Sequence, residues 1–298
     1  MKKTTNYTAY LELGIMIVLL GGLLFITSDM PFVKNLKPET GPEKVVMFIG
    51  IILISMVVLA VHELGHLVTG LIQGFRFELF VVGPLGIKRE DNKIKLYLNT
   101  NLGYYGGVAA TSPVDDHQDN AKKFARILLA GPLTSLLFAA LCIFLAYWVG
   151  KPLGIIFYTG SMVSIGVFLA TTIPSQTGMF FTDRKRYQRL VTPGKEQAVE
   201  LAMLKIMGQY ARDNSYKNVD QNDINTLIAD DLPFIKFFGL FNLICFQLQN
   251  NGASETATVH EYESLAKEMS GSLVAAFARE IKKLEDNLRS ETVLVTCQ

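Results

Sequence analysis

The chain has 298 residues, half of them hydrophobic and only 18% charged, where an ordinary soluble domain carries roughly a quarter charged residues. A net charge of +1, with no basic stripe interleaved with aromatics, leaves no electrostatic case for nucleic acid. The three cysteines, Cys142, Cys245 and Cys297, are isolated and odd in number, so neither a disulfide framework nor a thiolate zinc site is supported. Composition reads as a membrane protein with a soluble portion.

In chain order, Lys2 and Lys3 precede an apolar run over residues 13–26 that only glycines interrupt. A cleavable signal peptide is one reading of such a start. No small-x-small cleavage site comes after it, which favours a retained first span beginning near Tyr10, with Glu12 at its cytoplasmic end. Residues 28–44 read as a short polar loop of mixed charge.

A second span is expected over residues 45–72, where Glu63 is the one charged residue within the apolar run. It carries His62-Glu63-Leu64-Gly65-His66. On a helix, the two histidines share one face a turn apart and can close on a single Zn²⁺. Glu63 is then placed as general base toward water at the metal. Two imidazoles and a carboxylate in a lipid-spanning helix are costly unless they line a cavity and act there. The alternative is a pair of hydrogen-bonded core histidines. His62 lies 17 residues after Val45, ~26 Å along the axis, so the site falls toward the exit side of the span.

Residues 73–124 change character. Residues 76–82 and 93–98 are β-like, and Gly83-Pro84 and Glu90-Asp91-Asn92 supply turns between them. Residues 103–108 are too glycine-rich for a stable helix. The expectation is a small sheet or hairpin near the membrane surface, serving either as structure or as a place where an extended substrate adds as a strand.

A third span is expected over residues 127–149, with Ala130-Gly131-Pro132 near its start. A fourth covers 153–173, and its small and hydroxyl residues, such as Ser161, Ser164 and Gly166, suit helix packing or a wet cavity. Lysine and arginine concentrate on one set of loops, which places both termini and the mouth of the site in the cytoplasm. From Pro193 onward the chain reads as soluble and helical. Helices are expected over 196–213, over an apolar stretch 233–249 that is buried or interfacial, and over 255–288 with a break at Ser270-Gly271.

A catalytic zinc needs a third protein ligand. His117, in a turn, and His260, in a solvated helix, read as surface histidines. Asp183 is the better candidate. Thr172-Ile173-Pro174 ends the fourth span, Gln176-Thr177-Gly178 loosens the chain after it, and Asp183 then falls at the boundary depth of His62 and His66. The alternative is an inert boundary aspartate beside Arg184, Lys185 and Arg186.

Taken together, the chain resembles the site-2 protease family of intramembrane zinc metalloproteases. The matching pieces are His62-Glu63-Leu64-Gly65-His66, Tyr105-Gly106-Gly107-Val108, Ala130-Gly131-Pro132-Leu133 and Ile173-Pro174 leading to Asp183, in that order. The resemblance implies an α-helical polytopic membrane protein of about four spans, with a three-helix catalytic core from spans two to four. It also implies one Zn²⁺ on His62, His66 and Asp183, Glu63 as base, and a membrane-spanning or membrane-associated peptide as substrate in the lipid bilayer. Three positions depart from the family pattern. Thr172 and Ser135 stand where asparagines are usual, and Asp183 is followed by Arg184 after a longer connection.

The expected organisation is an N-terminal span and loop over 1–44, a metalloprotease core over 45–190 and a helical cytoplasmic region over 191–298. The rival from another class is a non-proteolytic scaffold or sensor with the C-terminal helices as its partner-binding module, against which the intact Glu63 argues. A zinc transporter would carry several ionisable clusters along a path, where these spans offer one.

Overall fold

The computed structural model describes residues 7–90, 93–177 and 180–296. Lys2, Lys3, the Asp91-Asn92 turn and Gly178 lie outside them. The chain is mostly helical with a small sheet, and it divides into two compact units.

The first unit takes residues 1–73, 77–111 and 123–188. It opens with α1 (Tyr7–Ser28) and a short α2 (Pro31–Asn35) inside the expected polar loop. α3 (Gly41–Ile72) starts four residues before the apolar run because Thr40 and Glu43 form a reciprocal capping box that satisfies the first free N–H groups. Its 32 residues extend ~48 Å, longer than a bilayer core.

A four-stranded sheet comes next, in the order β3-β2-β1-β4, from β1 (Arg76–Val82), β2 (Leu85–Glu90), β3 (Lys93–Leu98) and β4 (Val108–Ser112). β1 and β2 are antiparallel, with Val82 opposite Leu85. The two-residue loop between them is Gly83-Pro84, and its first position has φ +55°, which glycine adopts without penalty. β2 also pairs antiparallel with β3. Hydrophobic patterning picks out β1 and β3 but not β2, whose Leu-Gly-Ile-Lys-Arg-Glu is too polar and glycine-broken to stand out.

α4 (Asn120–Val149) and α5 (Leu153–Thr172) complete the long helices of this unit. α4 begins seven residues before its apolar segment, so Lys122, Lys123 and Arg126 are helical rather than in a loop; hydropathy detects only the part of a helix that suits lipid. α3, α4 and α5 are each long and apolar enough to cross a membrane. They also leave large apolar side chains uncovered, among them Phe48, Ile72, Leu137, Phe144 and Trp148, a surface that soluble proteins avoid.

Glycines set the helix spacing. A Cβ on Gly160 would lie 2.5 Å from Ile54 Cγ1, and one on Gly65 would lie 2.8 Å from the Ala130 carbonyl. α1 joins α5 through a 2.5 Å hydrogen bond between Thr27 and Tyr158 hydroxyls. Val33, Leu36, Ala146, Tyr158 and Met162 form a buried cluster beside it. α5 stops at Thr172 because Ile173 precedes Pro174 and is driven to an extended ψ of 119°. A two-stranded hairpin, β5 (Gln176–Thr177) with β6 (Phe180–Phe181), then leads into α6 (Asp183–Val191).

The second unit takes residues 74–76, 112–122 and 189–298. Its helices are α7 (Lys195–Asp213), α8 (Gln221–Ile228), α9 (Pro233–Asn251), α10 (Thr256–Ala266) and α11 (Gly271–Thr296). α9 covers the apolar 233–249 stretch, and Ile235, Phe237, Leu240, Ile244 and Leu248 are buried within the unit. The break expected at Ser270-Gly271 separates α10 from α11. α8 leaves no clear trace in the sequence; it is one short helix, capped by Asp220 accepting from the Asn222 N–H.

Candidate metal centre

α3 presents His62 and His66 one turn apart, both buried. Their Nε2 atoms are 3.3 Å from each other. Asp183 Oδ2 lies 3.3 Å from His62 Nε2 and 3.3 Å from His66 Nε2. The three donors therefore form a near-equilateral triangle. A tetrahedral Zn²⁺ with bonds of about 2.0–2.1 Å spaces its ligand atoms about 3.3–3.4 Å apart, so the residues present fit that ion. Asp183 Oδ2 is also buried without a hydrogen-bond partner among the described residues. Orphaned buried carboxylate oxygens are expensive, and a cation at the centre of the triangle relieves the cost.

The other ring nitrogen fixes the tautomer of His66. His66 Nδ1 is 2.7 Å from the Ile127 carbonyl, which can only accept, so Nδ1 carries the proton and Nε2 keeps a free lone pair. His62 Nδ1 is 2.9 Å from Ser135 Oγ. Ser135 is itself fully buried, and its carbonyl accepts from Ser164 Oγ of α5 at 2.7 Å. Ser135, which departs from the family's asparagine, thus stands directly behind a histidine of the triangle. Gly131 explains the glycine of Ala130-Gly131-Pro132: a Cβ there would overlap the His66 ring. No sequence signal points to Ser135 or the Ile127 carbonyl as supports of the histidines, because their role depends on a helix crossing.

Glu63 is buried beside the histidines but does not belong to the donor triangle. The Ala109 backbone N–H donates to its carboxylate. Gly107, with φ +100°, brings the chain so close that a Cβ would lie 2.8 Å from Glu63 Oε1. The glycine-rich segment and the first residues of β4 therefore hold the carboxylate in place. Both requirements, a left-handed backbone and no side chain, call for glycine here.

The longer connection before Asp183 is folded back on itself. Thr182 N–H donates to the Ser175 carbonyl at 3.0 Å, and Ser175 N–H to Thr182 Oγ1 at 3.0 Å. The Thr182 hydroxyl also bonds the Ile173 carbonyl at 3.0 Å, so the hairpin adds residues while barely separating its ends. Thr182 then caps α6 by accepting from the Lys185 N–H at 3.4 Å. Asp183 is the first helical residue, where an acid is favourable and the next residue needs no glycine; Arg184 simply points out of the helix, exposed. Elsewhere, His117 is an exposed turn residue facing Asp119 at 3.7 Å, and His260 is exposed on α10.

Searches among curated proteins and among solved structures return no match. A family model described as Peptidase family M50 matches residues 49–290, a span that takes in most of α3, all of α4 to α6, the sheet and nearly all the C-terminal helices. That match covers most of the chain and includes every residue of the triangle and its supports, and the chain accordingly belongs to peptidase family M50, the site-2 protease family.

Proposed function

We propose that this protein is an intramembrane zinc metalloprotease that hydrolyses peptide bonds of membrane-spanning or membrane-associated substrates. The observation that carries the reading is the 3.3 Å triangle of His62, His66 and Asp183 with Glu63 beside it but outside it. His62 Nε2, His66 Nε2 and Asp183 Oδ2 would hold Zn²⁺, which when bound lowers the pKa of water toward ~7 and polarises the scissile carbonyl. Glu63 accepts the proton of the attacking water on a carboxylate oxygen and passes it to the departing amine. The Ala109 N–H and the Gly107 backbone hold that carboxylate in one orientation. The Ile127 carbonyl keeps His66 in the tautomer that binds metal, and Ser135 Oγ is placed to accept from His62 Nδ1–H in the same tautomer.

A transmembrane helix buries its carbonyls in its own hydrogen bonds, so the substrate must unwind before attack. β4 is an edge strand that starts next to Gly107. Its position at the sheet edge suits the unwound stretch, adding it as a further strand. The catalytic core is taken as residues 45–190, preceded by an N-terminal span and loop over 1–44 and followed by the helical region 191–298. In this reading α1 supplies a fourth span, both termini are cytoplasmic in the cell membrane, and the C-terminal region offers a surface to a protein partner.

The reading of a scaffold that has lost catalysis has no use for a base, and Glu63 is retained and supported on two sides. The test is Glu63→Gln, which keeps the size of the side chain and cannot take up a proton at neutral pH. Purified in vesicles with a mixed library of single-span peptides, this variant should keep its zinc. Its cleavage, read by mass spectrometry, should fall by about 10²–10⁴-fold. Cleavage at the wild-type level would remove the protease assignment.

A further inference from the structure

Within the first unit, α1, α2, α4 and α5 enclose a groove of about 490 Å³. Its lining on α4 runs from Leu136 to Tyr147, ~16 Å of helix, and on α5 from Tyr158 to Ile165. Ile143 and Met162 are among its apolar walls. Leu137 and Tyr147, which also line it, are 64% and 66% exposed, so the groove is open sideways to whatever surrounds the helices. At its far end Phe32 of α2 stacks on Tyr147, with ring centroids 3.9 Å apart.

The groove begins where the support of the histidines ends. Ser135 stands behind His62, and Leu136 is the next residue of α4. Ser164 ties α5 to the Ser135 carbonyl at 2.7 Å, and Ile165 follows it. From there the lining leads away from the metal centre along both helices.

Ser161 is 2% exposed and lines the groove one turn further from the metal centre than Ser164. The neighbouring hydroxyls are occupied: Thr27 and Tyr158 bond each other at 2.5 Å, and Thr159 turns back to the Ile155 carbonyl at 2.8 Å. The Ser161 hydroxyl makes no hydrogen bond among the described residues. A buried hydroxyl without a partner is costly, above all where water is absent. An acyl chain would fill the volume and leave that cost standing. A helix that carries a hydroxyl or amide side chain removes it. A whole helix about 10 Å across would need ~1,300 Å³ over 16 Å, so the groove receives the side chains of a helix lying along it rather than the helix itself.

We infer that this groove docks the part of a membrane-spanning substrate that stays helical, and that Ser161 is a specificity-determining residue selecting a hydroxyl or amide side chain on that helix. The inference rests on the protease reading and deepens it. A helix seated here ends beside His62 and Glu63, where the adjoining stretch of substrate unwinds.

The probe is a single-span peptide that the full chain cleaves in vesicles. The residues around its scissile bond are kept, and the far half of its span is made of leucine and alanine. One Asn is then moved through that half, position by position, and kcat/KM is measured for each peptide. Wild type should favour one Asn position over the apolar parent by about 3- to 15-fold, the range of a hydrogen bond between helices in a bilayer. Ser161→Ala should lose that gain. Ser161→Thr should retain it, as should Phe48→Ala, on an exposed part of α3 outside the groove lining. In a Glu63→Gln background, which leaves the peptide uncleaved, Ala140→Cys in the groove lining should form a disulfide under mild oxidation with a cysteine in the far half of the peptide.

Equal cleavage of every Asn peptide, or an Asn gain that survives in Ser161→Ala, would overturn the inference. Loss of zinc from Ser161→Ala would mark Ser161 as a support of the fold and overturn it too. So would an Ala140→Cys cross-link only to a second copy of the chain, or no cross-link to any peptide position, which leaves the groove to lipid. Cleavage that persists in these cases keeps the protease reading intact. A wild-type chain that cleaves none of the peptides removes that reading, and this inference with it.

Discussion

Gly131→Ala tests whether the helix crossing at the metal centre is as close as the geometry requires. The added methyl carbon would lie 2.5 Å from His66 Cε1 and 2.7 Å from Cδ2, and closer still to Nε2. Non-bonded carbons rest at about 3.5–4.0 Å, so the imidazole must retreat by roughly 1 Å. Metal–ligand distances tolerate about 0.2 Å. The ring cannot both avoid the methyl and keep its corner of the 3.3 Å triangle. Overpacking of this kind typically costs about 1–3 kcal/mol. Charged against the metal-bound arrangement, that converts to a loss of about 5- to 150-fold in zinc affinity.

The assay is chelator competition on purified protein, with Gly22→Ala as the matched control, since a Cβ at Gly22 meets nothing within 4 Å. Unchanged zinc affinity in Gly131→Ala would refute the placement of His66 against α4.

Ser135→Ala removes the partner of His62 Nδ1 and should weaken zinc binding about 10–100-fold, with Ser135→Asn recovering most of it; equal affinities for all three would mean that the hydrogen bond has no orienting role. Topology is checked with fusion reporters after residues 5, 115 and 298, which should report cytoplasm, and with one near Asn35, which should report the opposite side. An external signal at residue 115 would put the sheet and the mouth of the site on the wrong face.

The long helices of the first unit are legible in the sequence because long apolar runs leave strong traces, whereas α2 and α6 carry none. Their ends are not, since caps such as Thr40 with Glu43 and the charged first turns of α4 carry no hydropathy signal. His62, Glu63 and His66 follow from a five-residue motif on one helix face. Asp183 is reached through an argument about depth and through the family resemblance, and its geometry depends on the Thr182-closed hairpin, where β5 and β6 are two residues each and below any pattern threshold.

Ser135, Gly107 and Arg189 illustrate what a sequence does not display. Each matters through a neighbour more than ten residues away, His62, Glu63 and Glu200 respectively. Arg189 in particular sits among basic residues that look like a solvated boundary cluster, yet it is buried with two acids of the C-terminal unit.

The most direct test of the central claim is the zinc content of the purified chain, measured by elemental analysis for wild type beside the double variant His62→Ala, His66→Ala. The account predicts about one zinc per wild-type chain, as a three-ligand site implies, and none above background in the double variant. Wild-type protein without zinc, or a double variant that keeps it, would contradict the assignment of this triangle as a catalytic metal centre.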